Sequence, residues 1–423
     1  MKGCFSVSGT GALIEELDKK LKSVDNYALL FIDVDNFKYV NNTYGHIFGD
    51  RLLKRFLELL TGLVDKNCTV YRIGADKFTV LAERFQGIHE IESLAVRILR
   101  GLKDPVEIDE RVLYSTVSIG ISIYPDHGST AEELFKNADI AVIKAKETGK
   151  NKIVIYSESM YAAVQEWVFI ERYLRNALEK NELELYYQPV YDIKSNRISA
   201  FEALMRWRND EMGFIMPNQF IRVAEDTHMI IAIGEWTLRN ACLFQKHLQQ
   251  QGYEDIKVCV NVSKLQLLQD DFVEMMTDML DMAGISSDSI ELEIAEPVLS
   301  GAFDVIIDKL RTLNEKGLKI IMDGFGRGYS SMSLLNQLPI TSLKIDRSFV
   351  NTINDTLEGT SLVDFMVHIA KSMNLRVIAE GVETGEQYEH LEKIDCDALQ
   401  GYFLCRPLPE REAIKKLRSN KKV

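Results

Sequence analysis

The chain has 423 residues, 46% apolar and 27% charged, with 50 Lys+Arg against 63 Asp+Glu for a net charge of −13. That length suits two domains rather than one, and the composition is that of a folded globular chain, not a disordered or fibrous one. The negative balance argues against a nucleic-acid partner, because counterion release needs a cationic face. The acidity is uneven: residues 1–160 carry 21 Lys+Arg and 23 Asp+Glu, leaving 29 and 40 for residues 161–423. Such a lopsided half is either a solvated surface or a set of carboxylates gathered around cations. The six cysteines form no C-x-x-C pair and have no zinc spacing, so buried, reduced thiols are expected. No apolar stretch approaches the roughly 20 residues of a membrane helix, and a cytoplasmic chain without a membrane span is expected.

In chain order, Ala28–Asp33 is a short apolar run ending in carboxylates, which predicts a buried strand. Residues Asn41 to Leu60 predict one helix. Val70–Ile73 and Lys77–Ala82 flank Gly74-Ala75-Asp76 as a strand–turn–strand unit. A helix at Ile88–Leu102, a strand at Thr116–Tyr124, a helix at Ala131–Thr148 and a strand at Lys152–Tyr156 complete a βαββαβ order. This order predicts an α+β domain with an antiparallel sheet. Asp33 and Asp35 leave one strand and Asp76 sits at a neighbouring hairpin, a pattern that suits Mg²⁺ bridging to nucleotide phosphates and equally suits simple turn caps.

The stretch from Asp33-Val-Asp35 through Asn41-Asn42-Thr-Tyr-Gly45-His46 to Gly49-Asp50, then Gly74-Ala75-Asp76-Lys77-Phe78, Ser118-Ile-Gly120 and Ala138-Asp139 with Lys146, resembles the GGDEF family over about residues 10–156. The resemblance implies a polymerase-palm-like fold and a domain that joins two GTP into cyclic di-GMP. It implies that Asp33 and Asp76 hold Mg²⁺, that Asn41 and Asp50 read guanine, and that Lys146 and Lys150 meet phosphates. The signature itself departs from the family: Ala75 replaces a glycine, Lys77 replaces an acid and Asn42 replaces a usual Asp. A cation beside the metal position works against a two-metal site. The Arg-x-x-Asp of the family's inhibitory product site is absent, with Asp65 and Cys68 in its place. The expectation is a degenerate domain, inactive as a cyclase, with GTP as a regulatory ligand.

Residues 157–182 lack Pro and Gly and carry Val164, Trp167, Val168, Leu174 and Leu178 at helical spacing, which predicts a connecting helix between domains at 1–156 and 183–423. From Leu183 onward eight strand-like runs recur: Leu183–Val190, Ile198–Trp207, Lys257–Ser263, Ser289–Glu296, Leu318–Gly324, Ser342–Asp346, Arg376–Val382 and Ala398–Cys405. Eight βα repeats over about 250 residues predict a TIM-like (β/α)8 barrel. Polar residues then fall at the strands and their ends: Glu202, Asn261, Glu293 and Glu296, Asp323, Lys344 and Asp346, Glu380 and Glu383, and Gln400. Any one is an ordinary strand-end residue. Together at one mouth they would repel one another unless cations intervened, and their hard oxygens suit Mg²⁺ or Mn²⁺.

The motifs Tyr187-Gln188-Pro189-Val190, Glu202-Ala203-Leu204-Met-Arg206-Trp207, Asn261-Val-Ser263, Glu293-Ile-Ala-Glu296, Lys344-Ile-Asp346, Glu380-Gly-Val-Glu383 and Gln400-Gly401, in that order, resemble the EAL family of cyclic di-GMP phosphodiesterases over residues 161–410. The resemblance implies that Glu202, Asn261, Glu293 and Asp323 hold a first metal. Glu380 would serve a second metal and the attacking water, Lys344 would orient water and phosphate, and Arg206 would grip the phosphate. Gln188 and Gln400 would line the substrate site, and Glu296 would anchor the loop after the fifth strand. Family barrels often form homodimers. One departure matters: where the family has Asp-Asp-Phe-Gly-Thr-Gly-Tyr-Ser-Ser, this chain reads Asp323-Gly324-Phe325-Gly326-Arg327-Gly328-Tyr329-Ser330-Ser331, losing a ligand of the second metal. The expected activity is hydrolysis of cyclic di-GMP to pGpG, weakened by Gly324. The alternative is a non-catalytic receptor for cyclic di-GMP or GTP that signals through a protein partner.

Overall fold

The computed structural model describes residues 10–21, 26–74, 76–109, 111–296, 303–326, 335–353 and 357–420. Ala75 and the Arg327–Ser331 stretch singled out above lie outside them. The chain divides into two compact units, Met1–Val168 and Phe169–Val423.

The first unit is built on a sheet of β1 (Tyr27–Val34), β2 (Cys68–Arg72), β3 (Lys77–Glu83), β6 (Val117–Tyr124) and β7 (Ile153–Ile155), in the order β2-β3-β1-β6-β7. All eight residues of β1 are buried because it is central and covered on both faces, which is why its sequence is a continuous apolar run. One face packs on helices His46–Leu63 and Ile88–Gly101, the other on Ala131–Glu147. Gly120 lets the last of these approach closely, since a Cβ there would run into Ala138 O and Val142 N.

Two expectations change. The sheet is mixed: β7 pairs parallel to β6, because Ala131–Glu147 carries the chain back across the sheet. The single helix expected over 41–60 is two, Phe37–Tyr44 and His46–Leu63, broken at Gly45 with φ +84°. A short hairpin of β4 (Val106–Ile108) and β5 (Arg111–Leu113) was not legible, its three-residue strands being too short to show alternation.

Helix Glu158–Leu174 follows, shorter than the 157–182 stretch expected; residues 175–180 form turns and Asn181 adopts φ +56°. The second unit is a closed barrel of β8 (Leu183–Asp192), β9 (Arg197–Asn209), β11 (Lys257–Asn261), β12 (Ile290–Ala295), β13 (Lys319–Phe325), β14 (Ser342–Ile345), β15 (Arg376–Glu380) and β16 (Ala398–Gln400). Short strands β10 (Gly213–Ile215) and β17 (Leu408–Pro409) add to it at β9 and β8.

The TIM-like barrel is present, and one strand departs from the expected run of eight βα repeats. β8 runs antiparallel to both neighbours and joins β9 by a hairpin, pairing from Leu183↔Trp207 to Asp192↔Arg197 with a register shift between Val190 and Tyr191. The turn chemistry explains it: Asp192 Oδ1 accepts from Ser195 N and Oγ, and Asn196 takes φ +51°. The last strand ends at Gln400, five residues earlier than expected, because Gly401 turns the chain against the Val382 backbone.

Candidate active site

The barrel interior alternates with period two, and that period builds the site. Val190, Ala200, Cys259, Ile321, Ile378 and Ala398 form a buried apolar cluster, with Glu291 and Ser342 buried on the other two strands. Two residues further toward one mouth, each strand contributes one polar side chain: Gln188, Glu202, Asn261, Glu293, Asp323, Lys344, Glu380 and Gln400. Gln188 precedes Val190 instead of following its floor residue because β8 runs the other way. All eight strands therefore deliver a residue singled out from sequence.

Glu202 is the hub. It accepts from Asn261 Nδ2 at 2.7 Å on Oε1, and from Gln400 Nε2 at 2.6 Å and Lys344 Nζ at 2.8 Å on Oε2. Lys344 Nζ also donates to Glu293 Oε2 at 2.9 Å. Gln400 Nε2 reaches Gln188 Oε1 at 3.2 Å, and Gln188 Nε2 donates to the Cys405 carbonyl at 3.2 Å. Burial pushes Glu202 up, but the Lys344 charge and hydrogen bonds from Lys344, Gln400 and Asn261 outweigh it and hold the carboxyl below its usual range. Glu293 goes the other way, raised well above the usual range by burial and by Glu202. Burial opposes the Lys344 charge, yet Glu202, Glu293, Asp323 and Glu380 hold its ammonium protonated.

Asp323 lies at a register shift between Met322 and Phe325, and Gly324 inside that shift has φ +67°. Such an irregularity re-aims a side chain. Asp323 Oδ1 is buried with no hydrogen-bond partner, and burial raises its carboxyl. Glu380 is lifted from 4.5 to about 7, chiefly by burial, with Lys344 opposing and Glu202, Asp323 and Asp346 adding to the rise. Among the described residues no three Asp, Glu, His or Cys side chains stand as a ready cation cage; the Lys344 ammonium sits between Glu202 and Glu293 instead.

Arg206 projects four residues beyond Glu202, its guanidinium carbon 5.5 Å from the Tyr186 ring centre. Glu296 is buried at the end of β12. Asp346 accepts from Ser348 N at 2.8 Å and caps the short helix Arg347–Val350, whose Arg347 pairs with Glu383 at 2.6 Å. Glu291 was missed by the sequence reading, although its spacing of two from Glu293 marks it as inward-facing. It lies one layer down and accepts from Cys259 Sγ at 3.3 Å.

In the first unit, Asp33 is buried and its carboxylate meets Lys146 Nζ at 2.6 Å, with burial raising its pKa. Asp35 is consumed by Thr116 Oγ1 (2.7 Å), Ser118 Oγ (2.7 Å) and Asn151 N (3.1 Å). Lys77 stands directly across from Asp33 in the ladder, and its ammonium pairs with Asp139 at 3.2 Å. The Asp76 carbonyl accepts from Val34 N, tying the hairpin to the end of β1. Asn41 and Asp50 lie on either side of the Gly45 break; Asn41 Oδ1 is buried without a partner and Asp50 is exposed. Lys150 Nζ donates to Asn36 Oδ1 at 2.7 Å.

The EAL domain family matches residues 171–407, and the family described as diguanylate cyclase, GGDEF domain, matches residues 10–152. The chain is 36% identical over 382 residues to the cyclic di-GMP phosphodiesterase NbdA of Pseudomonas aeruginosa, across 90% of this chain and 49% of that protein. It is 35% identical over 402 residues to the bifunctional diguanylate cyclase/cyclic di-GMP phosphodiesterase MucR of the same organism, across 95% of this chain and 58% of that one. Among solved structures, the PaMucR phosphodiesterase in complex with c-di-GMP superimposes with a TM-score of 0.56 at 35% identity, over 58% of this chain and 99% of that one. The chain thus spans about half the length of the curated relatives it matches. An EAL barrel preceded by a GGDEF sheet, each matched over its own unit, places the chain in the tandem GGDEF–EAL family.

Proposed function

We propose that the barrel binds cyclic di-GMP and hydrolyses it to linear pGpG with Mg²⁺ or Mn²⁺. The observation that carries this reading is the ring of eight polar residues, one from each strand, in which a single ammonium serves several buried carboxylates. The set is short of positive charge: Asp323 Oδ1 has no partner, and Glu293, Asp323 and Glu380 are all raised. Hard oxygen donors with that deficit fit a divalent cation. Glu202, Asn261, Glu293 and Asp323 would hold a first ion; Asp323 and Glu380 would hold a second, weakened because Gly324 supplies no carboxylate. Bound there, the ions supply Lewis acidity toward the phosphodiester oxygens.

The chain's own residues do the rest. Glu380, titrating near 7, is suited to take a proton from an attacking water at neutral pH. The Lys344 ammonium, held charged, is placed to meet phosphate oxygens once Glu202 and Glu293 are otherwise engaged. Arg206 at the rim grips phosphate, Gln188 and Gln400 line the site, and Glu296 anchors the loop that follows β13. We assign residues 1–156 to the GGDEF domain, 157–182 to the connection and 183–423 to the barrel.

The first domain is read as inactive in cyclisation and as a regulatory site for GTP. Lys146 and Lys77 neutralise Asp33 and Asp139, and Asp35 is fully hydrogen-bonded, so the carboxylates do not fit a two-metal arrangement. A second reading, a non-catalytic receptor that switches a protein partner, is favoured by Gly324 together with the altered signature Gly74-Ala75-Asp76-Lys77-Phe78. Product analysis separates the two: cyclic di-GMP incubated with the chain and Mg²⁺ yields pGpG under the first reading. Under the second it binds and is recovered intact.

A further inference from the structure

At the end of β1 the first unit supplies its own cations to its carboxylates. The Asp33 side chain is only 4% exposed, and Lys146, from the helix that covers this face, meets it at 2.6 Å. Lys77 stands across the ladder from Asp33, 5.3 Å from the Phe31 ring centre, and pairs with Asp139 at 3.2 Å. Both ammoniums and the Asp76 carboxylate lie within electrostatic reach of Asp33, so these charges form one cluster. Asp35 is no freer to meet a metal, because Thr116, Ser118 and Asn151 already donate to it. The Lys146 and Lys77 side chains are 34% and 38% exposed, and an ammonium has three donors. Each therefore keeps a donor for a ligand arriving from solvent after its carboxylate is served. An acid at position 77, as in the signature this stretch resembles, would make the cluster two charges more negative. That is the charge one Mg²⁺ would cancel.

We propose that the first domain holds the triphosphate of GTP on the Lys77 and Lys146 ammoniums in place of Mg²⁺, so that the nucleotide binds with the metal removed. This rests on the GTP reading above and adds to it the source of the positive charge. A triphosphate is a chain of anionic oxygens, and lysine serves such oxygens as a point charge. Lys77 comes from the strand beside Asp33 and Lys146 from the helix over it, so the two ammoniums reach one place from different elements. The Lys77–Asp139 pair, with both side chains more than one-third exposed, contributes little to stability. Removing the Lys77 charge therefore changes what the cluster binds more than whether the domain folds.

The test is calorimetric titration of the full chain with GTP, once in EDTA and once in Mg²⁺. The natural chain is expected to give dissociation constants within about threefold of each other in the two buffers. Lys77→Met, which keeps the stem against Phe31, is expected to lose about tenfold in EDTA, the worth of one charge-assisted hydrogen bond. Its melting temperature should lie within about 2 °C of the natural chain, since an exposed pair is all that is lost. Lys77→Glu is expected to bind more than about tenfold more weakly in EDTA and to regain affinity in Mg²⁺. Binding by the natural chain in Mg²⁺ alone would refute the replacement of metal by lysine while the GTP reading stands. Equal binding in EDTA by the natural chain and Lys77→Met would refute the part given to Lys77. If the natural chain binds GTP in neither buffer, both readings fall.

Discussion

Replacing Lys344 with methionine removes the one cation from the barrel's polar ring while keeping the volume of the side chain. Its ammonium is 2.8 Å from Glu202 and 2.9 Å from Glu293, and its side chain is 1% exposed. At an effective dielectric of about 20 each contact attracts by about 6 kcal/mol, and desolvating three charged groups offsets most of the pair. Removing one partner of a buried pair costs about 3–5 kcal/mol, because the remaining charges are stranded. Glu293, already raised, takes a proton and relieves part of that. For a unit of this size about 3 kcal/mol lowers the melting temperature by roughly 6–12 °C. Circular-dichroism melting of Lys344→Met in EDTA should show that drop, and excess Mn²⁺ should restore more of it than Mn²⁺ adds to the natural chain. A variant melting within about 2 °C of the natural chain in EDTA would refute the idea that Lys344 holds the carboxylates together.

Three further outcomes are expected. Gly324→Asp places a side chain at φ +67°, a conformation costing about 1 kcal/mol for L residues; melting in EDTA should fall by a few degrees while the Mn²⁺ concentration needed for half-maximal turnover falls too. Glu380, raised from 4.5 to about 7, keeps in the folded chain a proton that the unfolded chain has already released, so stability declines as pH rises through that window, by about 3 kcal/mol. Denaturant unfolding of Glu380→Gln from pH 4.5 to 7 should show a correspondingly flatter decline than the natural chain. GTP titrated into the full chain should bind without yielding cyclic di-GMP; detectable product by chromatography would overturn the assignment of the first domain.

The sequence was legible where one property repeats along a strand. Glu202, Asn261, Glu293, Lys344 and Gln400 are marked by their places on or at the ends of strand-like runs and by the resemblance to the EAL family, and the structure puts all five in one hydrogen-bonded network. What escaped were features set by partners distant in sequence. The reversal of β8 depends on a five-residue turn at Asp192–Asn196, and the parallel pairing of β7 on a helix crossing the sheet. The commitment of Asp35 to Thr116, Ser118 and Asn151 could not be read locally, because those partners lie 81 or more positions away.

Hydrolysis by the barrel is tested most directly by one measurement. Cyclic di-GMP is incubated with the natural chain and with Glu202→Ala in Mn²⁺, and linear pGpG is quantified. The account predicts product from the natural chain and none from the variant, since Glu202 joins Asn261, Lys344 and Gln400 at the centre of the ring. Tight binding of cyclic di-GMP by the natural chain with no product at any Mn²⁺ concentration would contradict it.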